Sequence, residues 1–371
     1  MSIEPNGDRK VQGVSLRALP KISLHDHLDG GLRPETILEL ASATGVETPA
    51  QDAAGLRRWF ADRSDSGSLV EFLTGFDLVL PLLQTEAALT RVAREYVADL
   101  AADGVIYGEV RWAPEQHLAG GLSLDRAVAA VQRGIEEGED EADAAGYSIR
   151  VGQILSAMRH ADRSLEIAKL AVAHRERGVV GFDIAGPEDG HPASRHRAAF
   201  DHLAAEFLPV TVHAGEAAGP ASVRSALIDG RALRLGHGVR VAEDLQIIER
   251  EGDEVQVQFG DLARWVRDRE IPLEMSPSSN VQTAAIAPWG DELADHPFDL
   301  LYQLGFAVTV NTDNRTMSGT SLTRELALLV DAFGYDLDDL EAFQFNAASA
   351  AFLPVEEREE LVEMIGEGFE R

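Results

Sequence analysis

Short runs of β-branched and apolar residues recur along the chain, separated by longer stretches in which apolar side chains return every three or four positions. The short runs fall at 22–27, 105–112, 148–155, 179–184, 210–213, 233–237, 271–275 and 307–311, which makes eight candidate strands. Stretches between them, such as 85–102, 124–145, 162–177 and 193–207, carry the period of amphipathic helices. This alternation predicts an α/β chain with a parallel sheet, and eight repeats point to a (β/α)8 TIM barrel. An open doubly wound sheet shares much of the pattern, but no glycine-rich dinucleotide fingerprint follows the first strand.

Regular alternation breaks in two places. About seventy-five residues separate the first two strands, far more than one helix needs, so a helical insertion over the barrel mouth is expected. After the last strand, helical patterns at 321–333, 337–352 and 355–369 close the chain. Residues 1–18 read as a polar N-terminal tail and 19–371 as a single barrel domain. The acidic run 136–143 reads as a solvated helix face.

Composition narrows the partners. The chain has 371 residues, 45% of them hydrophobic, enough to bury the core of such a barrel. Its 63 acidic against 33 basic residues give a formal charge of -30, which repels phosphate backbones and anionic membranes. The expected partner is a small molecule without net negative charge, with no nucleic acid and no membrane. The absence of cysteine excludes disulfides, thiolate zinc sites and cysteine nucleophiles, so any metal must take imidazole and carboxylate. Neither a leader-like apolar stretch near the start nor a membrane-spanning run is visible, so the expected compartment is the cytoplasm.

Candidate chemistry gathers at strand ends. In a strand, alternate side chains face the same way, so His25 and His27 share a face while Asp26 points away. His213 ends the fifth strand, with Glu216 three residues on, and Asp313 follows the eighth. A core histidine is the plain alternative for His213, and a helix N-cap is the plain alternative for Asp313. Three imidazoles and one carboxylate form a sulfur-free set suited to one zinc ion, with iron, cobalt and manganese left open. Such a metal lowers the pKa of a bound water from near 16 towards about 7. Glu216 then serves to protonate the substrate, and His237, ending the sixth strand, to hold or deprotonate the water, unless it is a buried histidine bonded to backbone.

These stretches resemble the adenosine deaminase family of the metal-dependent amidohydrolases. The resemblance rests on Pro20-Lys21-Ile22-Ser23-Leu24-His25-Asp26-His27-Leu28-Asp29-Gly30-Gly31, Thr211-Val212-His213-Ala214-Gly215-Glu216, Gly236-His237-Gly238, Ser276-Pro277-Ser278-Ser279-Asn280 and Asn311-Thr312-Asp313. It implies a (β/α)8 barrel and zinc held by His25, His27, His213 and Asp313. It further implies hydrolytic deamination of adenosine, and of 2'-deoxyadenosine, to the 6-oxopurine and ammonia. On this reading metal-bound hydroxide attacks purine C6, Glu216 protonates N1, and His237 and Asp313 sit beside the hydroxide. The resemblance also gives substrate contacts to His27, to Asp29 at the ribose 5'-hydroxyl and to the Gly186 backbone at N3. Leu69, Phe72, Leu73 and Phe76, at helical spacing in the insertion, would form an apolar lid, although such a stripe is more often core.

Where familiar animal members of the family have a second aspartate after the zinc ligand, this chain has Asn314, followed by Arg315; the Asn314 amide can donate to purine N7 without needing a proton. Asp29 in front of the 5' position favours a nucleoside over a nucleotide, although Asp29-Gly30 also reads as a turn. Deaminases of adenine or aminodeoxyfutalosine share the catalytic set and are the near rivals. A binuclear site bridged by a carbamylated lysine is disfavoured, because lysine occurs only at positions 10, 21 and 169. A catalytically silent metal-binding barrel is disfavoured because both proton-transfer groups and all four ligands are present.

Overall fold

The computed structural model describes residues 9–251 and 254–370. All eight expected strands are present, and two hairpins are added. The first hairpin comprises β1 (Lys10–Val11) and β2 (Val14–Ser15). The barrel strands are β3 (Lys21–His27), β4 (Val105–Trp112), β5 (Arg150–Met158), β6 (Val179–Ala185), β7 (Thr211–Ala214) and β8 (Arg234–His237). After the antiparallel pair β9 (Leu245–Glu251) and β10 (Glu254–Phe259) come the last two barrel strands, β11 (Leu273–Met275) and β12 (Val308–Val310).

Parallel ladders run β3-β4-β5-β6 and β7-β8-β11-β12. The two half-sheets meet at both edges, through parallel bridges between Phe182 and Val210 and between Asp26 and Asp313. At the second seam the His27 N–H donates to the Asp313 carbonyl at 2.7 Å and the Asp313 N–H to the His25 carbonyl at 2.9 Å. The ring is thereby closed, and the seam is made by the backbone of three site residues.

The barrel interior is ionic beneath the mouth. Arg111 and Glu109, two apart on β4, both face inward with Arg234 and Glu274, and all are fully or nearly fully buried. Arg111 donates to Glu274 at 2.7 Å and Arg234 donates to the other Glu274 oxygen at 2.7 Å, while a second Arg234 nitrogen bonds Glu109. Buried charge is tolerated only when paired in this way. The two arginines hold the Glu274 carboxyl well below the usual range, against the upward push of burial.

The expected polar tail is corrected from residue 9 onward. The hairpin leads into Leu16 and Leu19, both buried, and Lys21 donates to the carbonyls of Leu16, Arg17 and Leu19. Burial lowers the Lys21 pKa to about 8. Residues 1–8 of that expected tail lie outside the described residues.

The insertion contains α1 (Pro34–Thr44), α2 (Ala53–Ser64), α3 (Leu69–Leu73) and α4 (Phe76–Val79), before α5 (Glu86–Ala102) returns to the barrel wall. The apolar stripe from Leu69 to Phe76 is therefore two short helices, broken at Thr74-Gly75. The acidic run lies on α6 (Leu124–Ala144), where Glu136, Glu137, Asp140, Glu141 and Asp143 are exposed. The C-terminal helices are Leu322–Phe333, Leu337–Ala350 and Val355–Phe369, close to the expected bounds. Among the described residues no helix is long and apolar enough to cross a membrane.

Candidate active site

The strand ends at the mouth bring five predicted residues together. His25, His213, His237 and Asp313 each offer a ligand atom, all within 4.8 Å of one another. His27 joins them, with Nε2 3.2 Å from His213 Nε2 and 3.4 Å from Asp313 Oδ1. Gly236 allows the crowding, since a Cβ there would lie 3.1 Å from the His213 Cα and 3.2 Å from the His25 ring. His237 and Asp313 adopt left-handed backbone, at φ +63° and +58°. Such strain costs about 1–3 kcal/mol per residue and collects at functional sites.

A layer of carboxylates behind the imidazoles orients them. Glu274 Oε2 lies 3.0 Å from His25 Nδ1, and Asp183 Oδ2 lies 2.8 Å from His213 Nδ1. A carboxylate on one ring nitrogen keeps the proton there and turns the bare nitrogen toward a metal. His25 Nε2 is buried and has no hydrogen-bond partner, as a ligand atom should be. Burial drives the pKa values of His27 and His213 down, which keeps both rings neutral and able to ligate. Ser279 Oγ donates to Asp313 Oδ2 at 2.6 Å, leaving Oδ1 beside the histidines.

Glu216 sits at the edge of this cluster, with Oε2 3.6 Å from His237 Nε2. Burial raises its pKa well above the usual carboxyl value, helped by the charges of Asp313 and Glu188. Its backbone is clamped: Glu188 accepts from the N–H groups of Gly215, Glu216, Ala217 and Ala218, at 2.7, 3.0, 2.7 and 2.9 Å. Four donors converging on one carboxylate leave this loop little freedom.

A cavity of about 240 Å3 opens onto the cluster at His27, whose side chain is 12% exposed where that of His25 is fully buried. Its wall includes Asp29, Gly186, Leu73 and Phe76 from the expected set. Asp29 is buried with Oδ1 unpartnered, and burial raises its pKa to about 7. Gly186 has φ +99°, and a Cβ there would come within 3.0 Å of the Met158 side chain, another residue of the wall.

Three expected residues stand elsewhere. Phe72 faces the core at 3% exposure and Leu69 is half-buried outside the cavity wall, so half of the proposed stripe does not reach the cavity. Asn314 is buried against Gly30, where a Cβ would come within 1.9 Å of its Oδ1, and it is not among the residues that wall the cavity. Sequence reasoning gave no role to Asp183, Glu188, Glu274, Asn280 or the wall residues Gln116, Met158 and His160. Asp183 and Glu274 did leave a signal, each a lone carboxylate inside an apolar strand.

The adenosine deaminase family model matches residues 20–367. "Adenosine deaminase 1" of Streptomyces coelicolor is 52% identical over 359 residues, covering 96% of this chain and 87% of that protein. The adenosine deaminase of Mycobacteroides abscessus is 51% identical over 346 residues, covering 93% of each. Among solved structures, an adenine deaminase from Arthrobacter aurescens superposes with a TM-score of 0.80 at 25% identity, covering 94% of this chain and 98% of that one. An Arabidopsis N6-mAMP deaminase does so with 0.79 at 28%, covering 95% and 99%. Family model, relatives and barrel agree with the strand-end cluster, and the chain belongs to the adenosine deaminase family.

Proposed function

We infer that the protein hydrolyses the 6-amino group of adenosine, and of 2'-deoxyadenosine, releasing inosine or its deoxy form and ammonia. Relatives named adenosine deaminase, about half identical over nearly the whole chain, support the reaction. The nature of the cavity wall carries the choice of substrate. It contains two carboxyls, Asp29 and Asp77, and no arginine or lysine. A related Arabidopsis protein is crystallised with GMP and with IMP, but a 5'-phosphate here would meet acid with no cation to pair with it. A neutral nucleoside fits.

His25, His27, His213 and Asp313 would hold one zinc ion, which suits an all-nitrogen-and-oxygen donor set. When bound, such an ion supplies the Lewis acidity that makes hydroxide available near neutral pH. Glu216, protonated because it is buried beside other carboxylates, delivers its proton to purine N1 and draws electron density from C6. The hydroxyl of water adds to C6 as N1 takes the Glu216 proton. The proton given up by that water passes to the 6-amino group, which leaves as ammonia when the C6–amine bond breaks, and the C6 hydroxyl returns its proton to Glu216 as the 6-oxopurine forms. Asp29 accepts from the ribose 5'-hydroxyl and the Gly186 N–H meets N3. Leu73 and Phe76 exclude water from above. Asn314, placed against Gly30, is the residue nearest in sequence to take N7, which requires its side chain to turn from the position described.

The test is a panel of adenosine, 2'-deoxyadenosine, adenine and 5'-AMP assayed for ammonia release, with metal analysis of the same sample. The nucleosides should be turned over with the highest kcat/KM and near one zinc per chain. Preference for adenine or for 5'-AMP would overturn the substrate assignment.

A further inference from the structure

His237 has two ring nitrogens, and the surrounding hydrogen bonds settle which one carries the proton. Nδ1 lies 2.9 Å from Asn280 Nδ2. The orientation of the Asn280 amide is fixed independently, because the Ser276 backbone N–H, which can only donate, points at the Asn280 oxygen at 3.2 Å. His296 agrees: its Nδ1 accepts from the Phe298 backbone N–H at 3.0 Å, so its Nε2 carries a proton and donates to the same Asn280 oxygen at 3.2 Å. Asn280, His237 and His296 are all buried. Two backbone donors therefore fix the polarity of the whole chain. The amide NH2 faces His237 Nδ1, Nδ1 must accept, and the ring proton lies on Nε2, which points toward Glu216. A cationic ring would set two donors against each other at Nδ1.

We propose that Asn280, backed by His296, is the positioning residue that fixes His237 as the Nε2–H tautomer. His237 then donates a hydrogen bond into the reaction space and does not remove a proton from water. The contrast with His25 and His213 is internal to the site. Those rings have carboxylates at Nδ1 and present a bare Nε2, whereas His237 has an amide donor at Nδ1 and presents Nε2–H. This separates three neighbouring imidazoles into two ligands and one donor, and it rests on the deaminase reading for its consequence in turnover.

The tautomer itself is measured on wild-type, metal-loaded enzyme labelled with 15N-histidine, with the His237 signal assigned by its loss in His237→Gln. Ring-nitrogen shifts should show a protonated Nε2 and a bare Nδ1, and the reverse overturns the proposal without any variant at Asn280 needing to fold. Asn280→Asp replaces the donor by an acceptor and should move the proton to Nδ1. Its kcat should fall on the order of 10²–10³-fold, while KM changes by less than about three-fold and metal content is unchanged. A folded, metal-loaded Asn280→Asp with wild-type kcat overturns the proposal, as does a loss confined to thermal stability. If the wild type releases no ammonia from adenosine, the deaminase reading fails while the tautomer measurement still decides this one.

Discussion

The floor of the site and its lid are built on opposite principles. On the floor His25, His213 and His237 are buried and each is met at Nδ1 by a side chain from another element, and the partners are themselves bonded, as Glu274 is by two arginines. In the lid, Leu73 and Phe76 meet the cavity on two short helices broken at Thr74-Gly75, and they contribute contact area without hydrogen bonds. Polar geometry tolerates little displacement, since each bond has a direction and a buried unmade bond costs about 1–3 kcal/mol. Apolar contact has no direction and can shift to admit substrate. The floor should therefore govern kcat and metal retention, and the lid KM.

The largest expected effect belongs to Glu216. Glu216→Gln keeps the shape and removes the proton, so kcat should drop roughly 10²–10⁴-fold with metal content unchanged. Loss of metal in this variant would move Glu216 into the ligand set and blur the comparison. In the wild type the group must be protonated to act and its pKa is raised, so kcat should hold on the acid side and decline as pH rises through that value. A pH profile of kcat for wild type against Glu216→Gln checks this limb.

Next comes the carboxylate layer. Asp183→Asn, behind His213, should weaken metal binding about 10–100-fold, read by competition with a chelator. Unchanged retention would mean that the ring is oriented by packing alone. In the lid, Phe76→Ala should raise KM by roughly 5- to 30-fold, corresponding to about 1–2 kcal/mol of lost contact. Its neighbour Phe72→Ala should leave KM near wild type and lower the unfolding midpoint, because that ring is in the core. Equal KM effects from the two would erase the distinction between lid and packing.

The smallest effect at neutral pH concerns His117, which follows β4 and bonds the Leu83 carbonyl at the end of the insertion. Burial lowers its pKa from 6.5 to about 4. The unfolded chain takes up this proton near pH 6.5 and the folded chain only near 4, so the contribution is complete above 6.5 and is lost as pH falls through that window. Denaturation midpoints of wild type and His117→Leu should therefore run parallel above pH 6.5 and diverge below it, the wild type falling faster.

Much of the barrel was legible because strands and helices write their periods into adjacent residues. The run 105–112 matches β4 end to end, and the other barrel strands differ from expectation by at most three residues at either end. The β9–β10 hairpin was not anticipated, since its Gln, Glu and Arg content hides the alternation of a pair that stands off the barrel. The Leu69–Phe76 stripe misled because periodicity reports which residues are apolar and not what each one meets; Phe72 and Leu73, adjacent on one helix, reach the core and the cavity respectively.

By itself the sequence determined the eight strands, the shared face of His25 and His27, and the strand-end positions of His213, His237 and Asp313. Each of these follows from spacing within one element. Only the tertiary structure decided what stands behind those residues. Asp183, Glu188, Glu274 and Asn280 reach the site from separate segments, and the site residues they hold, His213, Glu216, His25 and His237, lie 28 to 249 positions away. No local period links such pairs. For His25, His213 and His237 the atom facing Nδ1 comes from another part of the chain, and only the folded barrel brings it there.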